Sequence, residues 1–425
     1  MPGRLRAAPG YGCRGSEDWI VNMRYIVFDL EWNQCPSGKS DEVVELPFEI
    51  FEIGAVKLDD DMQRIDSFSC YVKPKVYKEL HYIAKGLTHV TEELLEDGRD
   101  FGAAVKDFLD WCSADGEYRM CTWGTSDLVE LQRNMKYFGI ENPLEYPLFY
   151  YDIQKLFSID KEDGKSRRSL ETAVDMLGIE KNIDFHSAIS DAEYTAKVFE
   201  GIDFGRVGGY FSIDTYRIPA GVKDEIRVNY GTYEKYITKG YDTKEELVNN
   251  TRLLSTRCYL CGQTARKKIR WFSMNSKMHY CLAECKEHGY IKGRFRVRED
   301  DNGKYYASRV LKLTGEAGAE EVRQRQLEVR KRRRDKRQKK KLFKQTFIKV
   351  GKLHPQKGDV ICFQPDLDWI DAETMCQFMK VYSNNDAFGE SKLAFVPADI
   401  KQLKNKEEAQ IYVDKLQSIV DQMEE

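Results

Sequence analysis

At 425 residues the sequence is too long for one typical domain, so two or three are expected. Hydrophobic residues make up 41% and charged residues 32%, enough for ordinary cores under a well-solvated surface. No apolar run approaches the ~18–20 residues that a bilayer span requires. The formal net charge of −3 hides an asymmetry: residues 322–344 hold 13 Lys and Arg against Glu328 and Asp335, so the remainder sums to −14. One strongly basic element on an otherwise acidic chain points to a localised polyanion contact rather than a generally basic surface.

Residues 1–22 are rich in Gly, Pro and Arg and read as a disordered tail. Basic residues there have no apolar stretch behind them, so the centre of a secretory signal is missing and a cytoplasmic location is expected. Eleven cysteines, an odd count, argue against a disulfide framework. The run MRYIVFDLE (23–31) has the pattern of a buried strand, and EIFEIGAVKLDD (49–60) and IDSFSCYVKP (65–74) follow as two more. HVTEELLEDG and DFGAAVKDFLDWCS have helical spacing. RMCTWG (119–124) reads as a core strand, followed by a helix from Ser126 to about Phe138. FYYDIQKLF turns from strand to helix, SLETAVDMLGI is an amphipathic helix ending at Gly178, and SAISDAEYTAKVFEGI is another. Three strands followed by alternating helices and strands predict an α/β domain with a mixed sheet covered by helices, over residues 23–204.

The carboxylates in this region need an explanation. Asp29 and Glu31 lie two apart on one predicted strand, so both point to one face, where a divalent cation would offset the cost of burying charge. Asp127 follows a core strand at the start of a helix, where an acid also complements the helix dipole. His186 and Asp191 stand five apart at the start of the last helix.

In this order and context, FDLEWN, WGTSDLVEL and HSAISDA resemble the three motifs of the DEDDh exonuclease family, and GLTHVTEELL (86–95) is similar to its Gly-Ile-Thr segment. The resemblance covers roughly residues 24–203 and implies an RNase H-like mixed five-stranded sheet. It also implies a 3′→5′ exonuclease that releases 5′-mononucleotides. Asp29 would bridge two Mg²⁺ or Mn²⁺ ions, with Glu31, Asp127 and Asp191 completing the shell. His186 would be the general base on the attacking water. Trp32, Leu87 and Trp123 are the candidates for wedging or stacking on the terminal base. The WG-x-x-D form of the second motif and the segment DIQKLF look most like the eri-type exoribonuclease branch, which favours RNA. A DNA-directed exonuclease, or a non-catalytic RNA- or ribosome-binding protein on the same fold, is the alternative.

Beyond residue 205 the composition changes. Residues 205–250 read as a connecting segment. At 251–295, Cys258-x₂-Cys261 and Cys281-x₃-Cys285 have the paired spacing of a tetrahedral Zn²⁺ site in a small ribbon or knuckle, with His279 or His288 able to replace one thiolate. Residues 315–345 read as a basic helix whose Arg330, Arg333, Arg334 and Arg337 would contact a nucleic-acid backbone, structured or ribosomal RNA included. Residues 346–425, with the strand-like pieces TFIKVGKL, GDVICFQ and KLAFVPA and a closing helix, form an α+β segment without a functional signal.

Overall fold

The structure is a computed structural model that describes residues 23–88, 90–351, 360–363, 392–395, 401–403 and parts of 405–414. The N-terminal tail and most of the closing helix lie outside the described residues. The chain divides into two units, Met1–Ala319 and Glu320–Glu425.

The first unit opens with β1 (Arg24–Asn33), β2 (Glu49–Leu58) and β3 (Arg64–Tyr71), an antiparallel meander. Short helices α1 (Tyr82–Leu87) and α2 (Glu92–Glu96) lead to α3 (Phe101–Ser113), β4 (Tyr118–Thr122) and α4 (Ser126–Tyr137). β5 (Phe149–Asp152) passes directly into α5 (Ile153–Lys161), because the Asp152 side chain accepts from the Lys155 amide and caps the helix. α6 (Leu170–Leu177) is capped by Ser169 and ends on Gly178 in the left-handed region, then come α7 (Ala188–Glu200), α8 (Phe204–Val207) and β6 (Ser212–Ile213).

The sheet order is β3-β2-β1-β4-β5-β6, with β4 and β5 parallel to β1. This is the expected RNase H-like mixed sheet flanked by helices, with a sixth, two-residue strand added antiparallel to β5. Strand β1 explains the layering. Ile26, Phe28 and Leu30 on one face pack with α3 and α4, while Tyr25 and Val27 on the other pack with α5, α6 and α7. With both faces covered, the centres of β1 (Tyr25–Phe28) and β2 (Ile53–Val56) are apolar, and a carboxylate beside them stands out.

The segment expected as a connector does more than connect. It supplies β7 (Ile226–Asn229), β8 (Tyr233–Ile237) and α9 (Lys244–Val248). With β9 (Arg266–Ser273), β10 (Met278–Cys285), β11 (Gly289–Glu299) and β12 (Tyr305–Thr314) it forms a second six-stranded sheet, β7-β8-β12-β11-β10-β9, antiparallel throughout. The expected ribbon at 251–295 is thus part of a larger sheet. Gly231, in the left-handed region between β7 and β8, marks a hairpin that the sequence reading missed.

α10 (Glu316–Gly351) begins where the first unit ends and supplies the predicted basic helix. It continues through TFIKVG, read from the sequence as strand-like: β-branched residues raised the strand signal there, but the helix already under way extends through them. In the second unit β13 (Val360–Phe363) pairs with β14 (Lys392–Phe395) and β15 (Lys401–Leu403). Among the described residues no helix is long and apolar enough to cross a membrane.

Candidate active site and metal centre

Asp29 and Glu31 project from the end of β1 to the face that α7 covers. Across the strand pair, Gly54 lies opposite Asp29 and Glu52 opposite Glu31. A Cβ on Gly54 would stand 2.1 Å from the Ile189 nitrogen, so only glycine lets the start of α7 press onto the sheet at this point. That close approach brings Asp191, in the first turn of α7, to the two β1 carboxylates: oxygen atoms of Asp29, Glu31 and Asp191 lie within 4.8 Å of one another. Asp127, buried in the first turn of α4, accepts from the Leu30 amide at 3.3 Å, which ties it to the same strand end between the two acids.

Burial, followed by the fields of Asp127, Glu31, Asp191 and Glu52, raises the Asp29 carboxyl well above its ordinary range. Glu31 is pushed up to about 8 by burial and then by Asp191 and Glu52. Burial takes Asp127 to about 7 and raises Asp191 as well. The charged groups that act most strongly on Asp29 are all carboxylates. A set of hard oxygen donors raised by burial first and by neighbouring carboxylates second fits a divalent cation such as Mg²⁺ or Mn²⁺.

His186 is exposed on the turn before α7, with φ of 71°. A histidine in the left-handed region is uncommon, and the conformation is held by the Ser187 cap and a 3.4 Å contact from the His186 amide to the Asp191 carboxylate. Trp32 is half-buried, 5.7 Å from Phe48. Trp123 packs into the core beside Phe157 with its indole N–H buried and unpaired, a less available platform than expected. Leu87, at the end of α1, is 51% exposed.

A profile of the exonuclease family (RNase_T) matches residues 26–199, the span that contains all of these groups. Residues 26–199 thus carry a domain similar to the exonuclease family. The domain is 26% identical over 187 residues to the probable 3′-5′ exonuclease KapD of Bacillus subtilis, a match covering 42% of this chain and 83% of that protein. It is 21% identical to the 3′-5′ exoribonuclease 1 of Rattus norvegicus, over 38% of this chain and 47% of that protein. The chain thus spans about half the length of the latter relative. The solved nuclease domain of 3′hExo bound to rAMP is 18% identical, with a TM-score of 0.38, over 47% of this chain and 98% of that one.

Sequence reasoning missed one member of the exonuclease site. Glu52 is almost fully buried, with neither carboxylate oxygen engaged in a well-formed hydrogen bond. Burial pushes it up to about 7, while the nearby amides of Ala188 and Ile189 favour its charged form. In the run EIFEIGAV it is one of two acids, with Glu49, and nothing local sets it apart. Glu52→Gln is expected to raise the melting temperature of the metal-free protein by relieving repulsion, and a lower melting temperature would contradict that.

The second cluster lies on the second sheet. Sγ of Cys261 is 3.6 Å from Sγ of Cys285, and Nδ1 of His288 is 3.7 Å from Sγ of both Cys258 and Cys285. Ligand atoms of these four residues all lie within 4.8 Å of one another. Gly262, with φ of 70°, turns the Cys258–Cys261 loop back on itself. Cys281 is not part of the set. It lies four residues and about 13 Å back along β10 from Cys285, beside Gly293 and Trp271, and the turn after β10 brings His288 in its place. His279 is also elsewhere, stacked 4.3 Å from Phe295. Arg330, Arg333, Arg334 and Arg337 are exposed on α10.

Proposed function

We propose that this chain is a metal-dependent exoribonuclease that shortens single-stranded RNA from its 3′ end and releases 5′-mononucleotides in the cytoplasm. The observation that carries this reading is the convergence of Asp29, Glu31 and Asp191 at one strand end, with Asp127 bonded to the same strand. Two bound Mg²⁺ or Mn²⁺ ions would activate the attacking water and stabilise charge on the leaving oxygen. Asp29, Glu31, Asp127 and Asp191 would hold them, Asp29 from between the other three. His186, exposed at the rim, would take the proton of the water. Trp32 and Leu87 would bracket the terminal base, with Trp123 a further candidate for stacking. The relatives named exoribonuclease 1 favour RNA over DNA. Single-stranded RNA and DNA of equal sequence, assayed side by side, test this: RNA should be cut faster, and a clear DNA preference would move the assignment to a DNA-directed exonuclease. RNA bound but never cut would point to a non-catalytic binding protein.

We also propose a structural Zn²⁺ held by Cys258, Cys261, Cys285 and His288, a closed four-ligand set without an open position for catalysis. Cys285→Ser is expected to lower bound zinc from about one equivalent to near zero and to destabilise the second sheet. Equal zinc content in the variant would contradict it. The arginines of α10 would add backbone contacts to RNA, structured or ribosomal RNA included, through counterion release.

A further inference from the structure

We propose that the second sheet is itself an RNA-binding surface, holding the single strand upstream of the 3′ end that the exonuclease domain receives. This rests on the proposed exoribonuclease function, but its observations are separate. From β9 to β11, residues 266–299 carry ten Lys and Arg against Glu284, Glu287 and Glu299. The acidic remainder inferred from the sequence therefore contains a second basic element, masked in the total by acids elsewhere.

The fold sorts three of these cations onto one side of β11. Phe295 and Val297 face a core with Leu247, Leu253 and Ala307, so period-two alternation places Arg294, Arg296 and Arg298 on the opposite face, where all three are exposed. Successive guanidinium groups leave the strand about 6.8 Å apart, a regular row suited to successive phosphates of an extended strand. Arg309 on β12 makes the contrast: it is buried on the core side and neutralised by Glu234 at 2.8 Å. Among the described residues no ion pair involves Arg294, Arg296 or Arg298. Clustered like charges without carboxylate partners are costly unless a polyanion matches them.

The row also leads to the exonuclease domain. Two residues past Arg298 the β11–β12 turn begins, and there Asp301 meets Arg133 at 3.4 Å and the Asn302 side chain accepts from Lys136 at 3.2 Å, both on α4. Asp127 lies on the same helix, six residues and about 9 Å along its axis from Arg133. The arginine strand is thus anchored to the helix that carries a site carboxylate. Arg side chains suit this task because they bind phosphate in bidentate fashion whatever the base.

The test compares wild-type protein with R294A/R296A/R298A. Binding of a 20-nucleotide single-stranded RNA is measured without added Mg²⁺ or Mn²⁺ over a salt series, and hydrolysis of a trinucleotide is measured with Mg²⁺. The variant should bind the long RNA on the order of tenfold more weakly and show a salt slope shallower by about two, as losing three single-strand phosphate contacts requires. Trinucleotide hydrolysis should be unchanged, since so short a strand does not reach the row. Unchanged affinity and slope would overturn the proposal. So would an equal loss on the trinucleotide, which would make the arginines structural, or tighter binding to polyglutamate than to RNA, which would point to an acidic protein partner. A wild-type protein that binds RNA through these arginines yet hydrolyses nothing would leave the surface standing and remove the nuclease reading.

Discussion

Asp29→Asn is expected to abolish hydrolysis, by a factor of about 10³ or more, while making the metal-free protein more stable. The loss follows from removing the acid around which the other carboxylates are grouped; several kcal/mol of transition-state stabilisation by metal would go with it. The gain follows from the same geometry. Without metal, Asp29, Glu31, Asp127, Asp191 and Glu52 repel one another in a partly buried cleft, and an amide of the same shape relieves part of that. Each kcal/mol recovered should raise the melting temperature by about 2–4 °C.

The same cluster gives the metal-free protein a definite pH dependence. Folding raises these carboxyls, Glu31 to about 8 and Glu52 and Asp127 to about 7. The folded state therefore binds protons that the unfolded chain has already released, and its stability falls as pH rises from about 4 to about 8. Metal bound to the ionised carboxylates should remove most of that fall. Melting curves across this range, with EDTA and with Mg²⁺, provide the check. A metal-free protein whose stability rises through the window would refute the electrostatic account.

His186→Ala should lower turnover by about 10²–10⁴, the usual contribution of a general base, with little change in fold. His186 is exposed, and its backbone lies in the left-handed region. His186→Gly is the informative companion: it removes the imidazole and relieves the backbone strain, so it should be at least as stable as wild type and as inactive as the alanine variant. Activity near wild type in either variant would remove His186 from the reaction.

What was legible in the sequence followed from periodicity and local chemistry. The apolar strand with Asp29 and Glu31 two apart, the helix start at Asp127 and the helix start at His186 and Asp191 are local signals. They located an α/β fold and its candidate acids, and the resemblance of the three motifs to the DEDDh family supplied the nuclease reading. Glu52 was not legible, because its meaning depends on the register that places it opposite Glu31, a contact 21 residues away in the chain. The zinc-type cluster was half legible: CxxC marked one side, but β10 runs extended between Cys281 and Cys285, about 13 Å apart, and the turn after it brings His288 in. The second sheet was read as linker and ribbon because β7 and β8 are short, and β12, the partner of β8, lies some 70 residues on. For the same reason its basic face was hidden, since the charges converge only when β11 lies flat between β10 and β12.

The central claim is that the carboxylate cluster at the end of β1 is a divalent-metal centre that hydrolyses RNA from the 3′ end. A 5′-labelled single-stranded RNA incubated with the purified protein and Mg²⁺ tests it most directly. The label should appear in a ladder that shortens from the 3′ end, abolished by EDTA and absent with Asp29→Asn. Release of the label as a mononucleotide at the first time point, or a ladder that EDTA leaves intact, would contradict it.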